Sequence, residues 1–279
     1  MPKHRPFHQL DVFSKIPLLG NALAVVHQAE GMTDEEMSAF ARWTNLSETT
    51  FLTPPTQLEA DYRVRIFTPE DELPFAGHPT LGSCYAWLAA GGKPRTPGVI
   101  VQECGVGLVT IRQQDGRLAF AAPPLRRTGD LDEATLAQIT RGLGLERKDL
   151  LDHQWVDNGP GWCVVMLKSA EQVLAIRPDF GKLKGLSLGV IGPQAPESDT
   201  DFEVRAFVPS LGVPEDPVTG SLNAGIAQWL IGSGKSPTHY VVSQGTAIHR
   251  SGRVYVEQSG SDIWIGGDVV ICIEGSVML

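Results

Sequence analysis

Apolar and polar residues alternate with period two in two stretches that read almost alike. In DYRVRIFTP (61–69) Tyr62, Val64 and Ile66 fall on one side, and in DFEVRAFVP (201–209) Phe202, Val204, Ala206 and Val208 do so. Alternation of this kind predicts a strand with one face toward a core. Five of the nine positions are identical at a single offset: Asp61 with Asp201, Val64 with Val204, Arg65 with Arg205, Phe67 with Phe207, and Pro69 with Pro209. Pro74 and Pro214 keep that offset. After a three-residue shift Gly77 pairs with Gly220, Gly82 with Gly225, and Gly91 with Gly234. Upstream, Gly20 before Val25-Val26 is matched by Gly159 before Val164-Val165. Several matches in one order point to an internal duplication.

Each copy continues from its strand through a Pro-containing loop into an amphipathic helix. The first helix is expected near His78, with Pro79 in its first turn, where a missing N–H costs nothing. Leu81, Tyr85 and Leu88 give it an apolar stripe, and Gly91-Gly92 end it. The second is expected near Ser221, carries Leu222, Ile226, Trp229 and Leu230, and ends around Gly232 or Gly234. Thr33 with Glu36 predicts a capping box for a helix through Trp43, with Met37 and Phe40 inward. Asp130 with Glu133 predicts the start of another, carrying Leu136, Ile139 and Leu143. Short strands are expected at 97–103, 106–113, 117–122, 162–167, 186–191, 240–249, 253–257 and 262–273. The pattern therefore predicts an α+β protein of two lobes, each a curved sheet wrapped around one long helix. Residues 123–131 (PPLRRTGDL) form the natural boundary.

Composition narrows the function classes. Hydrophobic residues make up 42% and charged residues 20% of 279 residues, enough for a sizeable core. Lys and Arg total 23 against 32 Asp and Glu, a net charge of −9. That balance, with no basic stripe, argues against nucleic-acid or anionic-membrane partners. Cys84, Cys104, Cys163 and Cys272 lie far apart, so neither a zinc site nor a redox dithiol is expected, and no metal is assigned. The stretch Met1–Gln9 is basic but lacks the apolar run of a signal peptide, and no window reaches membrane-spanning length. A cytoplasmic protein with reduced thiols is the expectation. The glycine-rich segments lack nucleotide-binding spacing, and no nucleophile elbow surrounds Ser221.

The candidate chemistry sits where the duplication brings equivalent loops into play. Two lobes related by an approximate twofold axis are expected to place their helix starts, at Gly77-His78 and Gly220-Ser221, at a shared cleft. Helix starts present unpaired N–H groups and partial positive charge, which suits a carboxylate. Asp216 precedes the second helix and His78 opens the first. Glu48, in SETTF, is expected to be partly desolvated by Phe51 and Trp43, which would raise its pKa toward useful acid/base values. Read alone, Glu48 is better explained by a solvated loop carboxylate or a salt-bridge partner; a helix cap or a core hydrogen bond is the alternative for His78, and a turn for Asp216 before Pro217. Ser221 reads as a helix-cap residue.

GNALAV at 20–25, SETTF at 47–51, FAGHPTLG at 75–82, EDPVTGS at 215–221 and GGDV at 266–269 occur in this order along nearly the whole chain. Together they resemble the PhzF-like family of phenazine biosynthesis, whose relatives are the diaminopimelate epimerases and proline racemases. The resemblance implies an internally duplicated diaminopimelate epimerase-like fold. It implies an N-terminal lobe 1–124, completed by 265–279, and a C-terminal lobe 125–264. It also implies a cofactor-independent isomerase that moves a proton within a small carboxylate-bearing substrate resembling dihydro-hydroxyanthranilate, and a homodimer. By position, Glu48 falls on the acid/base glutamate, and His78 and Asp216 on groups that hold and polarise substrate. Gly77, Gly220 and Ser221 fall on the carboxylate-binding helix starts, and Asn21 on a Gly-Asn pair near the cleft. The racemases use one thiol before each helix. Those positions read here as Ala76 and Asp216, which disfavours a two-thiol racemase or epimerase. A non-catalytic small-ligand binder on the same fold is the remaining alternative.

Overall fold

The computed structural model describes residues 3–209 and 214–279. Met1 and Pro2 of the basic N-terminal stretch, and most of the loop expected after 201–209, lie outside them. The chain divides into two units, one running to Ala121 and taking back Gly266–Leu279, the other comprising Ala122–Ile265.

The first unit contains β1 (His4–Val12), β2 (Asn21–Val26), α1 (Asp34–Thr44), β3 (Thr49–Thr53), β4 (Tyr62–Phe67), β5 (Glu72–Leu73), α2 (Gly77–Ala89), β6 (Val99–Cys104), β7 (Gly107–Gln114) and β8 (Arg117–Ala121). The second contains α3 (Glu133–Leu143), β9 (Asp152–Trp155), β10 (Trp162–Met166), α4 (Ala170–Ala175), β11 (Ser187–Pro193), β12 (Phe202–Phe207), β13 (Glu215–Asp216), α5 (Gly220–Gly232), β14 (His239–Gln244) and β15 (Gly252–Ser259). Then follow β16 (Asp262–Gly267) and β17 (Val269–Met278). The α+β class expected from the sequence is the class observed.

In the first unit β17 pairs antiparallel with β1, and β1 with β2. Next come a parallel β2–β3 pair, an antiparallel β3–β4 pair and a parallel β4–β6 pair. The second unit repeats this order: antiparallel β9–β10, parallel β10–β11, antiparallel β11–β12 and parallel β12–β14. Helix α2 touches β1, β2, β3, β4, β6, β8 and β17, so the sheet of its unit curls around it. That position removes the amphipathic stripe expected for α2. Gly77 to Cys84 are all buried, and so is Ala86. A helix enclosed on most sides is apolar all round rather than striped.

The registers make the duplication concrete. Ile66 faces Leu73 and Phe67 faces Glu72, as Ala206 faces Asp216 and Phe207 faces Glu215. Val101 N–H donates to Asp61 Oδ2 at 2.8 Å, and Val241 N–H to Asp201 Oδ2 at 2.7 Å. Arg65 grips Glu72 with two hydrogen bonds of 2.7 and 2.6 Å, and Arg205 grips Glu215 with two of 2.9 and 2.8 Å. Each guanidinium lies over the next phenylalanine, 5.1 Å above Phe67 and 4.9 Å above Phe207.

The paired glycines have physical causes. A Cβ at Gly82 would stand 2.5 Å from Leu23 Cδ2, and one at Gly225 would collide with the Val156 carbonyl oxygen. Each helix therefore lies against its unit at a distance only glycine permits. Gly91 and Gly234 take φ of 91° and 70°, closing equivalent Schellman ends through Gly92 N–H to Trp87 O and Lys235 N–H to Leu230 O.

Several local expectations change. Thr68 N–H donates to Asp71 O and Val208 N–H to Pro214 O, so Pro214 corresponds to Asp71. Pro74 therefore corresponds to Pro217 and not to Pro214. The cap of α3 is Asp132, whose carboxylate accepts from Thr135 N–H at 2.9 Å, and not Asp130. The strand expected at 240–249 stops at Gln244, where Gly245 turns with φ of 90° into a 3₁₀ turn at Thr246–Ile248. The expected strand 262–273 is broken at Asp268, which pairs with Arg117 at 3.3 Å and Lys15 at 3.8 Å. The capping box at Thr33 and Glu36 forms as expected. All four cysteines are free. Among the described residues no helix is long and apolar enough to cross a membrane.

Candidate active site

Glu48 sits in the short link between α1 and β3. Asn45 ends α1 in the left-handed region, and the hydroxyls of Thr44 and Thr49 bond at 2.8 Å across the link. The carboxylate is brought against His78 in the first turn of α2, with Oε2 3.5 Å from Nε2. Both side chains are shielded, at 15% and 6% exposure. A second clip, Ser83 Oγ to Thr50 Oγ1 at 2.9 Å, ties β3 to α2 and so fixes the two elements that carry the pair. Trp43, one of the two aromatic residues expected beside Glu48, is 79% exposed and stacks on Phe40, whereas Phe51 is fully buried.

Burial pushes the His78 imidazole down to about 3, against a hydrogen bond with the Ala22 backbone that favours the charged form. His78 is therefore neutral at pH 7, and its contact with Glu48 is not an ion pair. A backbone bond that favours imidazolium is one in which a ring N–H donates to the carbonyl, and Nε2 makes no hydrogen bond. The proton accordingly sits on Nδ1, and Nε2 offers a lone pair toward Glu48. A protonated Glu48, or a substrate N–H or O–H, fits that acceptor. Asn21 starts β2, is buried, and adjoins Ala22.

Asp216 lies in β13, four residues before Gly220. Thr219 Oγ1 donates to its Oδ2 at 2.6 Å. The residue at the cap of α5 is Thr219, so Ser221 is inside the first turn and not the cap. Its hydroxyl accepts from the Trp162 indole N–H at 2.9 Å and its carbonyl from Asn158 at 2.8 Å. The register also corrects the pairing of the positions before the helices. Ala76 and Thr219 are equivalent caps, whereas Asp216 corresponds to Leu73. Of the expected residues, Glu48, His78 and Asn21 thus belong to one unit with Gly77, and Asp216, Gly220 and Ser221 to the other. Thr219 and Gln244, which bonds it, were not singled out from the sequence. The pairing of Gly77 with Gly220 in the sequence already sets Thr219 opposite Ala76, and that is the signal that marks it. Among the described residues no cluster of three or more His, Cys, Asp or Glu could hold a metal.

Comparison with known proteins places these features in one family. The family model of phenazine biosynthesis-like proteins, PhzC-PhzF, matches residues 10–275, and the chain belongs to that family. The chain is 36% identical to antisense-enhancing sequence 1 of Schizosaccharomyces pombe, over 96% of this chain and 97% of the relative. It is 31% identical to the trans-2,3-dihydro-3-hydroxyanthranilate isomerase of Pseudomonas aeruginosa, over 97% and 98%. The crystal structure of a PhzF-family phenazine biosynthesis protein from Bacillus anthracis matches with a TM-score of 0.84 at 25% identity, over 99% of this chain and all of that one. A hydroxyproline epimerase from Agrobacterium vitis shares the fold, with a TM-score of 0.57 at 12% identity over 99% and 93%. The protein is an isomerase with the diaminopimelate epimerase-like fold.

Proposed function

We propose that the protein shifts a proton within a small carboxylate-bearing substrate resembling trans-2,3-dihydro-3-hydroxyanthranilate, with Glu48 as the acid/base and no cofactor. The observation that carries this reading is the shielded contact between Glu48 and a neutral His78. The Glu48 carboxylate takes a proton from one substrate carbon and, as the acid, returns it to another carbon of the same molecule. The number of protons on substrate and enzyme is unchanged overall, and while Glu48 is the acid its proton exchanges with solvent, so the one delivered can come from water. His78 Nε2 accepts a hydrogen bond, from the acid form of Glu48 or from a substrate hydroxyl or amine, without competing for the proton. Asp216 is assigned to the substrate's polar group, Gly77, Gly220 and Ser221 to holding its carboxylate, and Asn21 to the substrate-binding residues without a separate role.

Thiol chemistry has little support. Burial pushes Cys84 and Cys163 up to about 12, so neither is a thiolate at neutral pH. NMR in deuterated water with trans-2,3-dihydro-3-hydroxyanthranilate tests the proposal. Isomerisation with deuterium incorporation is expected for the wild type and not for Glu48→Gln. A Glu48→Gln protein that binds and turns over like the wild type would sink it.

A further inference from the structure

Asp216 is held by a polar network that its counterpart position lacks. Gln244, at the end of β14, accepts at Oε1 from Thr219 N–H at 3.1 Å and donates from Nε2 to the Asp216 carbonyl at 3.2 Å. A backbone N–H can only donate and a carbonyl only accept, so the amide has one possible orientation. Nε2 also donates to Thr219 Oγ1 at 2.9 Å. With that lone pair taken, the Thr219 proton goes to Asp216 Oδ2 at 2.6 Å. Asn223 gives its N–H groups to Thr219 O at 2.9 Å and Gln244 Oε1 at 2.8 Å, while its own Oδ1 stays buried without a hydrogen bond. A buried acceptor left this way is costly, which points to the amide being committed to Gln244. Gln244, Asn223 and Thr219 are buried, and of the four only Asp216 is partly exposed.

Two further observations separate this network from simple scaffolding. A threonine at a helix cap ordinarily turns its hydroxyl onto a first-turn N–H, but Thr219 makes no such bond. Its hydroxyl serves Asp216 instead. The duplication supplies an internal control. The first unit carries Leu73, Ala76, Thr80 and Cys104 where the second has Asp216, Thr219, Asn223 and Gln244. That unit builds a helix of equal length, 13 residues, without the network.

We propose that Gln244 and Thr219 are positioning residues for Asp216, with Gln244 aiming the Thr219 hydroxyl so that the Asp216 carboxylate is held in one orientation with Oδ2 as an acceptor. The catalytic significance rests on the proposed role of Asp216 in binding substrate. The positioning itself does not.

Crystal structures of wild type, Thr219→Val and Gln244→Met test the positioning directly. The expected result is an Asp216 carboxylate that swings away or spreads over several rotamers while the α5 backbone stays in place. An Asp216 that does not move in either variant overturns the proposal, whatever the enzyme turns over. Kinetics with trans-2,3-dihydro-3-hydroxyanthranilate form the second arm. Losing a hydrogen bond to a charged group should lower kcat/KM by roughly ten- to hundredfold in each variant. Thr219→Ser should restore it, and neither variant should lower it further in an Asp216→Ala background. Additive losses in that background would refute action through Asp216. If Asp216→Ala keeps wild-type turnover while the carboxylate moves in the variants, the assignment of Asp216 to substrate fails and the positioning stands.

Discussion

The duplicated arginine–glutamate pair offers a measurement of what burial does to one interaction held in one geometry. Arg65 and Glu72 bond through two N–H···O contacts with side chains 19% and 41% exposed. Arg205 and Glu215 bond in the same way at 4% and 7%. In the second unit Arg205 also donates to the carbonyls of Val173 and Ile176, at 3.2 and 2.9 Å, at the end of α4. The partner added in the first unit is Asp34, which is 74% exposed. Replacing Glu215 with Gln keeps the shape but leaves a guanidinium buried without its counter-charge. Breaking a buried pair this way costs about 3–5 kcal/mol. The same change at Glu72 exposes Arg65 only to a solvent it already meets, and the loss should stay within about 1 kcal/mol.

Converted to melting temperature for units of this size, each kcal/mol is worth roughly 2–4 °C. Glu215→Gln should therefore melt on the order of 10 °C lower than the wild type, and Glu72→Gln within about 4 °C of it. Calorimetry of the intact chain, with urea melts followed by circular dichroism, would read both. Near-equal losses would refute the idea that desolvation, rather than bidentate geometry, sets the value of the pair.

Other outcomes follow from the same contacts. Gly225→Ala should destabilise by about 1–3 kcal/mol or fail to fold, and more than Gly82→Ala, because the added methyl meets the Val156 carbonyl rather than a movable Leu23 side chain; urea midpoints would show the order. His27 Nε2 bonds His8 Nδ1 at 3.0 Å, and burial, with His8 beside it, lowers His27 to about 4. The unfolded chain then binds more protons below about pH 6.5, so stability should fall as the pH drops from 6.5 toward 4. His27→Gln should flatten that slope in urea melts taken across the range. Because His78 is neutral, the shape of the kcat profile between pH 5 and 8 should survive His78→Asn even as its height falls. Loss of a limb near pH 6.5 would contradict the assignment of a neutral imidazole.

What the sequence disclosed was whatever local chemistry determines. The Thr33–Glu36 box, the glycine-closed helix ends and the alternation through Tyr62, Val64 and Ile66 each depend on neighbours in the chain. Elements dictated by distant partners stayed hidden. β1 reads HRPFHQLDV, a polar run that is a strand because β2 and β17 flank it. α4 has six residues, held by the Ser169 cap and by packing on β11 and β12. In β12 every residue is buried, Glu203 and Arg205 included, so the alternation seen in its sequence has no counterpart in exposure. Glu48 and His78 were legible as candidates, but their 3.5 Å contact arises from the packing of β3 on α2. Gln244 gave no signal, since a buried glutamine on a strand declares its partners only in three dimensions.

The duplication also sorts scaffold from chemistry. Pairs that recur in both copies, Asp61 with Asp201, the two arginine–glutamate grips, and Gly82 with Gly225, serve the frame that both units need. The helix-start glycines Gly77 and Gly220 recur as well, but the candidate residues with titratable side chains do not. The registers set Glu48 opposite Ser187, His78 opposite Ser221 and Asp216 opposite Leu73. Inversion of a stereocentre asks for two equivalent groups, one to remove a proton and one to deliver it from the other side. A shift of one proton between two carbons asks for a single group that can do both in turn. A base present in one copy and replaced by serine in the other matches the second requirement. The asymmetry therefore favours the proton shift proposed for Glu48 over racemisation, on grounds independent of where the cysteines lie.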